Sequence, residues 1–558
     1  MRDFTQTAHW ARRSTFAAKM RDAELMRYHM RNHQLPGRSA VMSTQAMAAT
    51  SQPMATQTAL QVLRDGGNAL DAATAASAVL SVVETYSTGI GGDCFILYHE
   101  AKTGKLHTLN GSGRAPAGAS LDAMHERGHQ EMPQKGILAV TVPGAIDAWY
   151  EANQKLGALP FDRLFREAIR YARDGYVVSP VIAHNWARSV DLLAATPEAS
   201  KAYLIDGKAP SAGSVHRQPD LASSLEAIAS GGRDAFYTGE IAQEIVRFSE
   251  SQNGLLTLDD FASHSSEWVD AVHSNYRGYR VCEIPPNGQG VTALMALNVM
   301  QQEDLSQFEH LGADHIQLLS EAFSLAMAER DRFVADPAFA VLPVEQMLSE
   351  SFAREQFSRI TLGKALDQPI PSAMPQHKDT VYITVVDRDR NACSFINSVF
   401  HSWGSGLVAG KTGINLQNRG GGFVLEEGHF NCLEPRKRPL HTLIPAMVYK
   451  DEQPVLSIGV MGGQYQAMGQ TYVLSNWIDY GMDVQQSLDA ARFFLYDGEL
   501  ALEHGVPPAR FEELRNRGCN VVPASDALGG GQAIFIDHAA GVLQGGSDPR
   551  KDGMAAGY

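Results

Sequence analysis

A mixed α/β enzyme fold with a large core and many loops is what this chain of 558 residues predicts. Three observations lead there. A hydrophobic content of 44% is enough to fill a large interior. Fifty glycines and 25 prolines are spread along the whole length, which suits many connections and argues against a coiled coil. Stretches of helical period precede Gly363, and short apolar runs of strand length follow it. Length alone suggests roughly three or four domain-sized units.

Taken in order, residues 1–40 hold Phe4, Trp10, Phe16, Leu25 and Met26 apart from one another with charged residues. That leaves no continuous apolar segment of a secretory signal. No run anywhere approaches the roughly 18 apolar residues of a membrane span, and a cytoplasmic location is expected. Residues 59–66 and 68–83 predict two helices separated by the Gly66-Gly67 break. The second is rich in small residues that allow close packing, which places it in the core. Gly89-Ile-Gly-Gly-Asp93 precedes a strand over 94–98. Val142-Pro143-Gly144 opens a helix over 145–156, with proline near its first turn. Ile316, Leu319, Phe323 and Met327 share one side of a helix over 315–331. The segment 365–378 carries Pro369, Pro371 and Pro375 with few apolar residues. It reads as exposed and mobile, tolerant of chain cutting. Strands over 381–386, 392–397, 443–448 and 455–460 and a helix over 484–492 complete the outline.

The net charge of −15, from 47 basic and 62 acidic residues, argues against a general nucleic-acid binder. It leaves room for anionic small substrates at a locally basic site. Cys94, Cys282, Cys393, Cys432 and Cys519 are odd in number and contain no CxxC pair. A complete disulfide framework and zinc-type cysteine spacing are thereby excluded, and free thiols are expected. Three motifs fail on their own terms. Gly404 to Thr412 resembles a phosphate loop but has Ser405 where the pattern GxxxxGK[ST] needs glycine, so a turn between strands is expected. Gly89-Ile-Gly91 lacks the last glycine of a dinucleotide fingerprint, which is Cys94. His125-Glu-Arg-Gly-His129 matches HExxH, but Gly128 and Pro133 disfavour the helix that would bring the histidines to one face. Neither Ser112 nor Ser405 lies in a Gly-x-Ser-x-Gly elbow. No metal and no cofactor are expected.

Thr380 begins a strand immediately after the Pro-rich segment, in His377-Lys-Asp-Thr380-Val-Tyr-Ile. Backbone cleavage between Asp379 and Thr380 would give this threonine a free α-amine. A hydroxyl is a poor nucleophile, but an adjacent amine can take its proton. The unperturbed α-amino pKa of about 7.7–8.0 suits that role near neutrality.

An ordered set of motifs accompanies it: Gly66-Gly-Asn-Ala-Leu-Asp-Ala-Ala73, Gly89-Ile-Gly-Gly92, Val142-Pro-Gly144, Pro285-Pro286, Ala328-Glu-Arg-Asp331 with Asp336-Pro337, Asp379-Thr380, Gly459-Val-Met-Gly-Gly463 and Asp548-Pro-Arg550. From about Ala49 to Gly553 the chain resembles the γ-glutamyltransferase family of N-terminal-nucleophile hydrolases. The resemblance implies an α+β fold, a four-layer αββα sandwich, built from two interleaved subunits cut from one precursor. Residues 1–48 would be an N-terminal extension, 49–379 the large subunit and 380–558 the small subunit. It also implies that Thr380 is the nucleophile and that Gly462 and Gly463 hold the oxyanion. Ser398 falls where the family has a hydroxyl bonded to the nucleophile.

The departures from the family pattern concern the substrate. Phe400 stands for an asparagine, and Arg419 for a glutamine. Gly422 stands for the acidic residue that receives a substrate ammonium, and His441-Thr442 for a serine pair on the α-carboxylate. Arg114 lies two residues beyond the family's arginine and is the expected bidentate carboxylate clamp. An anion is lost and a cation gained, which suits a glutaryl group better than a γ-glutamyl group. This is similar to the cephalosporin (glutaryl) acylases of the family. The expected substrate is a small acyl amide, with the chain acting as a hydrolase or acyltransferase. An ordinary glutathione-type γ-glutamyltransferase and a non-catalytic acyl-amide-binding relative are the alternatives.

Overall fold

The computed structural model describes residues 37–366 and 380–558. Two seven-stranded antiparallel sheets form its centre. Their strands in chain order are β1 (Val41–Ser43), β2 (Met47–Thr50), β3 (Asp93–Glu100), β4 (Lys105–Gly111), β5 (Glu267–Val269), β6 (Val272–Tyr276) and β7 (Tyr279–Glu283), followed by β8 (Val381–Val386), β9 (Ala392–Ser398), β10 (Ala446–Lys450), β11 (Gln453–Met461), β12 (Gly530–Asp537), β13 (Val542–Ser547) and β14 (Met554–Gly557). One sheet runs β14-β2-β8-β9-β3-β4-β5 and the other β1-β13-β12-β11-β10-β7-β6.

The strand β8 shows why the sheets stack. Its sequence, Val-Tyr-Ile-Thr-Val-Val, is β-branched and aromatic, and all six residues are buried. Side chains alternate across a strand. Val381, Ile383 and Val385 accordingly join a cluster with the small residues of helix α2 (Ala69–Val83). Tyr382 and Val386 join another with Met447, Ile458 and Val460 of the second sheet. Thr384 Oγ1 donates to Ser457 Oγ across the gap at 2.7 Å. A continuous apolar run thus marks a strand covered on both faces.

Helix α2 is buried from end to end, and Asn68 caps it by accepting from the N–H groups of Leu70 and Asp71. Together with helix α1 (Pro53–Arg64), it covers the sheet that carries β8. Helices α3 (Ala145–Leu156), α4 (Gly290–Met300), α5 (Ala313–Phe333) and α6 (Tyr465–Ile478) follow in the chain. Of these, α4 and α6 pack on the second sheet.

Several elements differ from expectation for local reasons. Helix α1 starts earlier than residue 59, at Pro53, a residue whose missing N–H suits a first turn. The strand expected over 443–448 begins only at Ala446, because Pro445 has no N–H for the ladder. The helix expected over 484–492 ends at Asp489, and Arg492 instead turns inward to a buried pair with Asp548. Val41–Ser43 and Met47–Thr50, which begin within the stretch 1–48, join the two sheets as strands. There β1 pairs with β13, and β2 lies between β14 and β8. The expected mobile segment falls mostly on 367–379, outside the described residues, as does Asp379.

Around the HExxH match, the helix Leu121–Glu126 ends before His129, and Gly128 has φ of 83°. Among the described residues no group of His, Cys, Asp or Glu is arranged to hold a metal, and no helix is long and apolar enough to cross a membrane. All five cysteines are free thiols.

Gly92 sets β3 against the end of β9. A Cβ there would stand 2.2 Å from the Ser398 carbonyl oxygen. Gly92→Ala is therefore expected to lower stability by about 1–3 kcal/mol, the usual range for forced overpacking. A thermal melt measures this, and an unchanged melting temperature would contradict the close approach.

Candidate active site

Strand register gathers the first three residues of the site. The last β8–β9 pair is Val381 with Asn397. One step further sets Thr380 opposite Ser398, and Ser398 in turn pairs with Asp93 on β3. Directly opposed side chains on antiparallel strands share a face. Thr380, Ser398 and Asp93 therefore form a row across three strands, and all three are buried. Thr380 Oγ1 donates to Ser398 Oγ at 3.2 Å, and Ser398 Oγ also accepts from the Phe400 N–H at 2.9 Å.

The second sheet supplies a glycine turn. Met461 ends β11 and Tyr465 begins α6, with Gly462 at φ 130° and Gly463 at φ 60° between them. These angles favour glycine, and at Gly462 a Cβ would also stand 2.9 Å from Gly529 Cα. The carbonyls of the pair are occupied. Gly462 O accepts from Tyr465 N, and Gly463 O accepts from Gln466 N and from Gln289 Nε2. Neither glycine N–H has a hydrogen-bond acceptor among the described residues.

A closed circuit of contacts joins the two sheets. From Thr380 it passes to Ser398 and Phe400. The Phe400 ring lies under the Arg419 guanidinium at 4.1 Å. Arg419 Nη1 donates to Thr442 Oγ1 at 3.0 Å. The carbonyls of Thr442 and Gly463 share the Gln289 side-chain amide, at 2.9 and 3.3 Å. Gln466 follows Gly463 into the helix, and its Nε2 returns to Thr380 Oγ1 at 3.4 Å.

Asp93 anchors one side of this circuit. Its Oδ1 accepts from Gly113 N, Gly144 N and Gln417 Nε2, and its Oδ2 from His441 Nε2. Burial pushes the Asp93 pKa up, but the His441 hydrogen bond, the Arg419 charge and the Gln417 amide outweigh it. The carboxyl titrates below its ordinary range. Burial and the Arg419 cation drive His441 down to about 3. The imidazole is therefore neutral, accepting from Leu443 N at Nδ1 and donating to Asp93 through Nε2.

Arg419 is fully buried, yet its Nε and Nη2 have no hydrogen-bond partner among the described residues. Burial lowers its pKa to about 9, with Asp93 opposing that shift, so it is a cation at neutral pH. A buried guanidinium with two open donors has the geometry to receive a planar anion.

Thr380, Ser398, Gly463, Arg419 and Thr442 lie on the circuit, Gly462 adjoins it, and His441 joins it through Asp93. Arg114 is not on it: its guanidinium pairs with Glu267 at 2.7 Å and Asp336 at 3.6 Å and is partly exposed. Its neighbour Gly113 touches Asp93, but the Arg114 side chain is committed to those carboxylates. Sequence reasoning passed over Asp93, Gln289, Gln417 and Gln466. Asp93 closes the Gly89–Asp93 motif, and Gln466 sits three residues after Gly463, in a helix's first turn. Gln289 and Gln417 carry no sequence signal that separates them from surface glutamines.

A sequence model described as gamma-glutamyltranspeptidase matches residues 55–558. The chain belongs to the gamma-glutamyltranspeptidase family. It is similar to the glutathione hydrolase-like YwrD proenzyme of Bacillus subtilis, 39% identical over 529 residues that cover 93% of this chain and 99% of that protein. It is similar also to the oxamate amidohydrolase proenzyme of Klebsiella pneumoniae, at 34% identity over 93% of this chain and 100% of that protein. Among solved structures it resembles a cephalosporin acylase from Bacillus halodurans, with a TM-score of 0.88 and 38% identity, covering 95% of this chain and 99% of that one. As a family member the chain is an enzyme of the hydrolase and acyltransferase kind.

Asp93→Asn leaves one acceptor oxygen for four N–H donors. A loss of about 1–3 kcal/mol is expected from the unpaired buried groups, measured by chemical denaturation. Parental stability in the variant would remove Asp93 as an anchor.

Proposed function

We propose that the chain is a self-processing amidohydrolase or acyltransferase that cleaves glutaryl or γ-glutamyl amides through an acyl-Thr380 intermediate. The observation that carries this reading is the buried Thr380 hydroxyl, hydrogen-bonded to Ser398 and set directly after Asp379. In this reading the stacked sheets with their covering helices make a four-layer αββα sandwich. One precursor yields two interleaved subunits, the smaller starting at Thr380. The names of the relatives, a glutathione hydrolase-like proenzyme, an oxamate amidohydrolase proenzyme and a cephalosporin acylase, support the same chemistry.

Thr380 Oγ first attacks the Asp379 carbonyl carbon. The peptide C–N bond breaks as the ester forms, which frees the α-amine, and water then hydrolyses the ester to release the Asp379 carboxylate and restore the Thr380 hydroxyl. That amine then takes the Oγ proton as Oγ bonds to the acyl carbon of the substrate. The N–H groups of Gly462 and Gly463 receive the oxyanion, because they are positioned without acceptors of their own. Collapse breaks the amide C–N bond, and the proton leaves with the amine. Water or a second amine releases the acyl group.

Arg419 directs the acyl group. Its open Nε and Nη2 receive the distal carboxylate, and Thr442 fixes the guanidinium plane. Gly420, Gly421 and Gly422 follow it, with no acidic side chain there to hold an ammonium. A γ-glutamyl ammonium beside a buried cation is costly to desolvate, so the glutaryl chain is the better fit. The Arg114 clamp read from the sequence gives way to Arg419 here, because Glu267 and Asp336 already hold Arg114.

Thr380→Ala is expected to remain a single chain without turnover, while the parent yields a fragment whose terminal sequence begins Thr-Val-Tyr-Ile. A different start, or a parent that stays whole on denaturing gels, would end the self-processing reading. A glutaryl anilide should show higher kcat/KM than the matching γ-glutamyl anilide. The two share a leaving group, so the ratio isolates the acyl pocket.

The pH dependence follows from Arg419. Below about 9 it is charged and binds the carboxylate, and as the pH rises through about 9 that charge is lost. The kcat/KM for the glutaryl anilide should fall there, whereas an uncharged acyl anilide should lack this limb. Arg419→Gln should lower kcat/KM for the glutaryl anilide far more than for the uncharged acyl anilide, and equal losses for both would exclude Arg419 as the receptor.

A further inference from the structure

Gln466 reaches Thr380 through its side chain alone. Its backbone already serves the helix, donating to the Gly463 carbonyl at 3.2 Å. Its side chain nevertheless reaches out of the first turn of α6 and donates Nε2 to Thr380 Oγ1 at 3.4 Å, while its Oε1 is buried without a partner. Among the described residues this leaves the side-chain carbonyl an open acceptor beside Thr380. Such orphaned groups call for a functional reason.

Resting on the reading of Thr380 as nucleophile, we propose that Gln466 is a further catalytic residue whose side-chain amide donates to Thr380 Oγ and whose open carbonyl accepts from the freed α-amine. Among the described contacts of the uncut chain, the Thr380 Oγ1 proton points to Ser398 and its lone pair accepts from Gln466. When the proton passes to the α-amine, negative charge grows on Oγ. A donor to a charged oxygen is worth more than one to a neutral oxygen. The Gln466 N–H is thus strengthened as the Oγ–carbon bond forms, and it weakens again once Oγ becomes an ester oxygen. The same residue's carbonyl accepts a hydrogen from the amine that has just taken the proton.

An amide suits both tasks. It cannot titrate, so it donates to Oγ and accepts from the amine at every pH. It also couples the two halves of the site. Gln466 touches the nucleophile of the first sheet through its side chain and the oxyanion turn of the second through its backbone.

The test uses the full-length protein with a glutaryl anilide, counting only cleaved enzyme as active sites. Gln466→Leu removes both hydrogen bonds at similar volume. Gln466→Glu keeps the shape and the acceptor but removes the donor and adds charge. Both should lower kcat about 10–100-fold, the loss expected for one hydrogen bond to a charged group, with KM changed less than threefold. The Gln466→Glu carboxylate should also stabilise the ammonium form of Thr380, moving the acid limb of kcat/KM to higher pH, which a purely structural role would not do. If Gln466→Leu misfolds, Gln466→Glu alone carries the test. Parental kcat with an unmoved acid limb in Gln466→Glu overturns the proposal. Thr380→Ala, run alongside, separates the two readings. If it is inactive while Gln466→Glu is parental, Gln466 alone is wrong; if it retains turnover, the nucleophile reading fails first.

Discussion

The Asp93 carboxylate is sealed from water, and the four N–H groups that compensate it come from four separate stretches of chain. A buried anion is tolerated only when such donors surround it. Once Asp93 is fixed at the start of β3, Gly113, Gly144, Gln417 and His441 have little freedom left. Each leads to part of the site. Gln417 precedes Arg419 by two residues, His441 precedes Thr442, and Ser398 lies opposite Asp93 in the sheet. The binding side of the site is in this sense arranged around one charge.

That charge also makes the Arg419 cation tolerable. No close ion pair joins them among the described contacts, so Asp93 acts on Arg419 through the low-dielectric interior and keeps it protonated at neutral pH. A tight pair would have consumed the guanidinium, as Glu267 and Asp336 consume Arg114. Compensation from a distance holds the charge in place while leaving two donors open. Phe400 contributes in the same way, covering one face of the guanidinium without competing for its edge.

Much of this was legible in the sequence wherever a local pattern had one physical solution. The β-branched run after Thr380 has the length and composition of a strand covered on both faces, and α2 is a run of small residues behind an Asn cap. Thr380, Ser398 and the glycine pair were accessible because each lies at the end of such an element. The role of Arg114 was not, since its fate depends on Glu267 and Asp336, which are remote in the chain. Arg419 and Arg114 look alike in sequence; only the partners brought by folding separate an open guanidinium from a neutralised one. Gln289 and Gln417 were illegible for a related reason. An uncharged amide reveals its use only through the buried groups it joins.

Thr380 and the glycine turn belong to different sheets, so their separation is set by how the sheets stack rather than by any one element. Apolar packing between Tyr382 and the strands opposite brings them together but is not directional. Directional contacts must finish the placement. The Gln289 amide fastens the Gly463 carbonyl to Thr442, and Arg330 holds both Gln289 and Gln464 through their side-chain oxygens. Arg330 is in turn bonded to Asp331 within α5. The Gly462-Gly463 turn is thus clamped from a helix outside both sheets, by groups whose hydrogen bonds are directional where the core is not. A shift of α5 would therefore reach the Gly462-Gly463 turn through this clamp, although none of its residues lies on the circuit around Thr380.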